Sequence, residues 1–153
     1  MKLGFFTRPL HPLDKNWQTC LNEDREAIIL ADKLGYSEAY VGEHLSDKAE
    51  NITSCIAFIA SLAYETKNIR LGTGTVNIPN LHPVHIAGQV AMIDNMLNGR
   101  FNFGISPGGL ISDVADNARI KRKWRYADQV DGAPGTSAYA SARSGSNLSL
   151  IHI

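Results

Sequence analysis

Four short runs rich in β-forming residues, each set off from the next by a longer segment of helical periodicity, constrain this chain more than any other feature. The first run is Lys2 to Phe6, the second Glu38 to Val41, the third Ile69 to Thr73 and the fourth Phe101 to Ile105. Between them, apolar residues at Cys20, Leu21, Ala27, Ile28, Ala31 and Leu34 fall near helical spacing and stop at Gly35, a C-terminal cap type. Ile52, Cys55, Ile56, Ile59 and Ala63 repeat the pattern behind Asn51, read as the N-cap. Pro83 suits a first helical turn, and Val84, Ala87, Val90, Ala91, Asp94 and Leu97 carry that helix to Gly99. Strands that alternate with helices on short connections pair in parallel through right-handed crossovers, so the expected class is α/β.

Two architectures satisfy that pattern, an open doubly wound sheet and part of an eight-stranded TIM barrel. The first βα turn reads FFTRPLHP and lacks the glycine fingerprint of a dinucleotide-binding fold, which favours the barrel. The expectation is a partial TIM (β/α)8 barrel made of its first four βα units, with parallel strands and an irregular C-terminal tail. The unusual residues then fall at the ends of strands: Thr7-Arg8 after the first, Glu43-His44 after the second, Gly74-Thr75-Val76-Asn77 after the third, Ser106-Pro107-Gly108-Gly109 after the fourth. In such a barrel the C-terminal rim is where active sites are built.

Composition narrows the partners. Lys+Arg and Asp+Glu balance at 15 each in 153 residues, so no overall field steers the chain to nucleic acid or an anionic membrane, and a small molecule is the expected partner. MKLGFF passes at once to Thr7 and Arg8, leaving no apolar stretch for a signal peptide or membrane span, so a soluble cytoplasmic protein is expected. Cys20 and Cys55 have no CxxC partner and read as core thiols, and no metal site is expected, since His82 and His85 around Pro83 have no further ligands nearby and read as capping or pocket-wall residues. His11 sits in a Pro-containing loop, with an exposed position and the substrate entrance as its two readings.

The ordered segments Tyr40-Val41-Gly42-Glu43-His44, Leu71 to Pro79 (LGTGTVNIP), Leu81-His82-Pro83 and Gly99 to Gly104 (GRFNFG) resemble the bacterial-luciferase-like flavin monooxygenases. Each is common alone; their order, each at its βα junction, makes the likeness specific over about residues 1 to 113. The resemblance implies an oxidoreductase, a flavoprotein in which reduced FMN lies at the C-terminal rim and reacts with O2 to oxidise a small organic substrate, the flavin coming from a separate reductase. A deazaflavin-dependent hydride transfer on the same barrel is the alternative, and a non-catalytic barrel fragment is a third. It implies that His44 is the catalytic histidine near the reactive part of the flavin, and that Gly74, Thr75, Asn77 and Ser106 bind the cofactor, with a non-proline cis peptide at Gly74-Thr75.

Bland readings stand beside these. His44 can merely cap a carbonyl, Glu43 can orient His44, bind substrate or cap a helix, Gly72 and Gly74 can serve close packing, and Asn77 can form a turn. Ser106 stands where the luciferases proper carry a cysteine, and Pro107 where they carry a phosphate-holding arginine, which suggests an alkane, terpene or sulfonate monooxygenase type. Gly108-Gly109 reads equally as an anion-binding backbone or a flexible turn.

Residues 1–113 are thus expected to form the N-terminal half of the barrel and residues 114–153 an irregular, disordered or artefactual tail. The basic cluster from Arg119 to Arg125 beside a Gly/Ala/Ser-rich run reads as solvated more readily than as a nucleic-acid contact, and no fifth strand is legible. The closing Leu148-Ser149-Leu150-Ile151-His152-Ile153 is what a transposon-end sequencing adaptor would encode, so a frameshift or chimeric read beyond Asp113 is expected. A complete barrel needs eight βα units and about 250 residues. Half of one leaves a sheet edge open, which predicts weak stability or self-association, homo-oligomers included, and poor flavin binding by this chain alone.

Overall fold

The computed structural model describes residues 1–109, 138–142 and 148–152. Strand β1 (Gly4–Thr7) leads to helix α1 (Trp17–Lys33), β2 (Glu38–Val41), α2 (Cys55–Leu62), β3 (Arg70–Thr73), the two-residue β4 (Val76–Asn77), a 3-10 turn (Ile78–Asn80), α3 (Pro83–Met96) and β5 (Phe101–Ser106). Strands β6 (Ala138–Ala142) and β7 (Leu148–His152) follow. The sheet order is β1-β2-β3-β5-β6-β7, with β4 beside β5. The first four strands on that path pair in parallel, with Phe5 opposite Ala39, Ala39 opposite Leu71 and Leu71 opposite Phe101. The α/β class and the parallel sheet are therefore as the alternation predicts.

Period-2 alternation sorts the two faces. Ala39, Val41, Leu71 and Phe101 turn to the helices and are fully buried against Ile28, Ile59, Leu62, Ile93 and Leu97. Gly72, Tyr40 and Asn102 lie in one register row on the other face, where Asn102 Nδ2 donates to Tyr40 Oη at 3.0 Å. Cys20 and Cys55 are buried free thiols, as expected.

The helix boundaries follow their caps. Asn16 accepts from Thr19 N to start α1, and Gly35 beyond its end has φ 81°, a left-handed position that suits glycine. His82 caps α3 through Nδ1 accepting from Val84 N at 3.3 Å, with Pro83 in the first turn. Helix α2 differs from expectation: its N-cap is Ser54, accepting from Ala57 N, not Asn51. Both are good capping types, but the helix begins only at Cys55, so the hydroxyl of Ser54, whose own backbone is extended, meets the free N–H groups.

Two further differences concern strands. Val76-Asn77 pairs with Ile105-Ser106 as β4, too short to show as a pattern. In the segment expected to be irregular, β6 pairs antiparallel with β5 (Phe103 opposite Ala140) and β7 with β6, so the edge expected to be open at β5 is covered. An unpaired row of N–H and C=O groups on β5 accepts any extended segment that reaches it. The basic cluster 119–125 lies outside the described residues. No described helix is long and apolar enough to cross a membrane.

Candidate active site at the C-terminal ends of the strands

Four parallel strands ending at the same rim bring their last residues together. A cleft of about 350 Å³ opens there, lined by Arg8 after β1, Glu43 and His44 after β2, Gly74, Thr75 and Asn77 after β3, and Ser106 and Gly109 after β5. Every residue expected to bind cofactor or act in catalysis thus faces one cavity, although Gly74 to Ser106 are about 30 residues apart in sequence. The Gly74-Thr75 peptide is cis.

One side of the cleft is a chain of side-chain hydrogen bonds. Thr75 Oγ1 donates to Ser106 Oγ at 2.5 Å, and Ser106 Oγ donates to Asn77 Oδ1 at 3.1 Å while also accepting from Gly108 N at 3.3 Å. Asn77 Nδ2 donates to the Glu43 carbonyl at 3.3 Å, and Asn77 N donates to Glu43 Oε1 at 2.8 Å. The other carboxylate oxygen of Glu43 accepts from Cys55 N and Cys55 Sγ, both at 3.1 Å. Glu43 is therefore a buried clamp that joins the first residue of α2 to β4, rather than a solvated cap. Burial first, and then the charge and hydrogen bond of Glu43, push the Cys55 thiol well above its ordinary range.

The glycines answer to packing. A Cβ on Gly72 would come within 2.5 Å of the Tyr40 ring, and one on Gly74 within 2.7 Å of the Phe6 ring. Gly74 lines the cleft, but what excludes a side chain there is the aromatic residue two strands away. Gly108 has φ 80° and its N–H is already given to Ser106, so the turn reading of Gly108-Gly109 fits it better than an open anion nest.

The opposite side of the cleft is ionic. Arg8 NH2 donates to Glu50 Oε1 at 2.6 Å and Arg8 Nε to Glu50 Oε2 at 3.4 Å, and His44 Nε2 lies 3.2 Å from the same Oε2. The hydrogen bond to Glu50 raises the Arg8 guanidinium above its ordinary value against the opposing desolvation, and the charges of Glu50 and Asp47 add to it. Glu50 is 5% exposed. Sequence reading missed it, because it sits in an unpatterned loop and meets Arg8 across 42 residues.

Residues outside the cleft are placed as follows. His11 is half-buried, its Nε2 lying 3.1 and 3.2 Å from the two Asp24 carboxylate oxygens, so it is neither solvated nor on the cleft wall. Burial is the main influence raising the Asp24 carboxyl, and His11 opposes it. His82 caps α3 with its ring edge-on to His85. Among the described residues no three His, Cys, Asp or Glu side chains gather around a metal position.

Comparison with known proteins gives this rim a context. The family model described as Luciferase-like monooxygenase matches residues 1–126, running past the Asp113 limit of the legible motifs. The chain is 40% identical over 135 residues to 4-hydroxyprotoasukamycin monooxygenase of Streptomyces nodosus subsp. asukaensis, covering 86% of this chain and 36% of that protein. It is 36% identical over 109 residues to the oxygenase component of the flavin-dependent trigonelline monooxygenase of Acinetobacter baylyi, covering 71% and 30%. Among solved structures, the oxygenating constituent of 3,6-diketocamphane monooxygenase of Pseudomonas putida, a type II Baeyer-Villiger monooxygenase in complex with FMN, superposes with a TM-score of 0.73 at 25% identity, covering 76% and 32%. The chain spans about a third of the length of these relatives. On the family match over residues 1–126, the chain belongs to the luciferase-like monooxygenases.

Proposed function

We propose that this chain forms the first four βα units of a (β/α)8 barrel whose C-terminal rim binds reduced FMN, and that the whole protein uses it with O2 to oxygenate a small organic substrate. The observation that carries this reading is the single cleft in which His44, Gly74, Thr75, Asn77 and Ser106 meet. Its size is at the low end of the roughly 300–1,000 Å³ of small-molecule sites, which suits the ring end of a nucleotide more than the whole of it.

The wall fits a flat heteroaromatic ring. Thr75 Oγ1, whose proton goes to Ser106, keeps acceptor capacity at the wall, and Gly74 brings backbone to the surface without a side chain over it. The phosphate end has less support here: Arg8 is the one cationic side chain lining the cleft among the described residues, and Pro107 follows Ser106 where a phosphate-holding arginine would stand. That grip is assigned to later barrel strands.

Reduced FMN, when bound, supplies the electrons and the oxygen activation. His44, half-buried at the cleft wall, orients toward the reacting group and holds or moves a proton through its imidazole. The Thr75–Ser106–Asn77 chain keeps the opposite wall fixed, so a ring placed between has polar groups already in position. A separate reductase is the proposed source of reduced flavin, in keeping with a relative named as an oxygenase component.

The test uses the protein extended to the length of its relatives, with a flavin reductase, O2 and cofactor extraction from the purified protein. FMN in the extract, O2-dependent oxygenation, and loss of that oxygenation in His44→Ala with FMN affinity retained support the reading. A deazaflavin in the extract, or unchanged turnover in His44→Ala, overturns it.

A further inference from the structure

We propose that Glu50 is the positioning residue of His44, holding the proton on Nε2 and the ring in one orientation, with Arg8 locking Glu50 in place. The inference rests on the reading of His44 as the catalytic histidine, but its geometry stands apart from any bound flavin.

Two loops build the unit, the β1–α1 connection and the β2–α2 connection. Arg8 follows β1, His44 follows β2, and Glu50 lies in the connection to α2. The Arg8 stem runs over Gly42, where a Cβ would sit 3.0 Å from Arg8 Cγ, so the absence of a side chain at 42 leaves room for the stem. Glu50 Oε1 takes the short 2.6 Å contact from Arg8, leaving Oε2, with only a 3.4 Å Arg8 contact, as the acceptor facing His44 Nε2 at 3.2 Å. The His44 backbone is fixed by its N–H donating to Ile52 O at 3.1 Å, so the ring has a fixed base on one end and a carboxylate on the other.

A neutral imidazole carries its proton on one nitrogen or the other, and the hydrogen bond that one nitrogen makes settles which. A carboxylate only accepts, so Nε2 beside Glu50 is the protonated nitrogen. The side chain of Glu50 is 6% exposed, so solvent does not compete for Oε2. The carboxylate that reaches His44 is thus Glu50, six residues on, and not the adjacent Glu43, whose two oxygens are taken by Cys55 and Asn77.

The test reads the 15N signals of the histidine rings in the flavin-free chain, comparing native, Glu50→Gln, Glu50→Asp and Asp24→Asn proteins. Native His44 is expected to show Nε2 as the protonated nitrogen. Glu50→Gln is expected to move it toward the average of the two tautomers and Glu50→Asp to move it part of the way, while Asp24→Asn moves the His11 signals alone. Glu50→Asp keeps the charge opposite Arg8 and so remains informative should the amide variant not fold. An unmoved His44 in both Glu50 variants, or an equal change with Asp24→Asn, overturns the inference. In the full-length protein Glu50→Gln is expected to lower kcat by about 100-fold or more at unchanged KM, the order seen when a histidine base loses its orienting carboxylate. Loss of oxygenation in His44→Ala without any loss in Glu50→Gln overturns the positioning role and leaves the monooxygenase reading standing.

Discussion

The two rims of the sheet solve the same problem, buried polar groups, in opposite ways. At the N-terminal rim, charged side chains bond to backbone. Asp32 accepts from Lys67 N, Asn68 N and Ile69 N at 2.8, 3.0 and 2.7 Å. Arg100 donates to the carbonyls of Ala63, Thr66 and Ile69, and Arg70 to those of Gly99 and Phe101. At the C-terminal rim Glu43 also accepts from backbone, at Cys55 N and Asn77 N, but the other polar side chains bond mostly to one another: Arg8 to Glu50, Glu50 to His44, Thr75 to Ser106, Ser106 to Asn77. Backbone partners tie a loop down, whereas side-chain partners leave polar atoms lining a cavity. The first rim ties loops to the sheet, and the second lines the cleft with polar side chains.

Asp32→Ala should break this contrast most severely. It leaves three backbone N–H groups without their acceptor, at about 1–3 kcal/mol for the buried Ile69 N–H and less for those of the exposed Lys67 and Asn68, so a loss of about 3 kcal/mol in urea unfolding is expected, with no direct contact to the cleft. The same group gives a pH signature. Burial acts to raise the Asp32 carboxyl, but the N–H bonds from Lys67, Ile69 and Asn68 and the charge of Arg100 together hold it below its ordinary 3.8. A depressed folded value means that its stabilisation is present above the unfolded value and disappears as pH falls through the folded one. Native Tm should therefore fall on acidification below about pH 4 by more than that of Asp32→Asn; parallel curves would contradict the assignment.

Gly72→Ala probes the sheet between the rims. A methyl 2.5 Å from the Tyr40 ring and 3.0 Å from Asn102 Cβ must displace one of them, and about 1–3 kcal/mol of overpacking is expected in the same unfolding assay. Ser106→Ala acts on the C-terminal rim. It removes the hub between Thr75, Asn77 and Gly108, for a stability loss of about 1 kcal/mol and a clear weakening of FMN binding by the full-length protein. A loss of stability as large as that of Asp32→Ala with FMN affinity intact would reverse the roles given to the two rims. Gly88→Ala is the smallest change: Gly88 is exposed within α3, nothing lies within 4 Å of its added Cβ, and a gain of about 0.5–1 kcal/mol is expected.

Much of the architecture was legible because it is written in local periodicity. Strand β2 matches its expected bounds, α3 begins at Pro83, and Gly35 and Gly99 follow the ends of α1 and α3 with positive φ. The cleft was legible because parallel strands bring their ends to one side whatever loops connect them. What stayed hidden depends on distant partners. Asp32 reads as one more polar position on α1 until residues 67–69 fold onto it, and Glu50 as one more loop charge until Arg8 and His44 arrive. Asn51 and Ser54 are both suitable cap types, and the backbone path, which composition does not reveal, makes Ser54 the α2 cap. The pairing of β6 on β5 escaped notice because an Ala/Ser-rich run carries little strand signal until a free edge recruits it.

The measurement that bears most directly on this division is a titration of the 15N-labelled chain with reduced FMN at millimolar concentration under anaerobic conditions, followed by backbone amide shifts. Binding weak enough to escape calorimetry is still visible this way. The account predicts movement at 43–44, 74–77 and 106–109, with 32, 66–70 and 99–102 unmoved. Shifts centred on that second group, or scattered evenly over both rims, would contradict it.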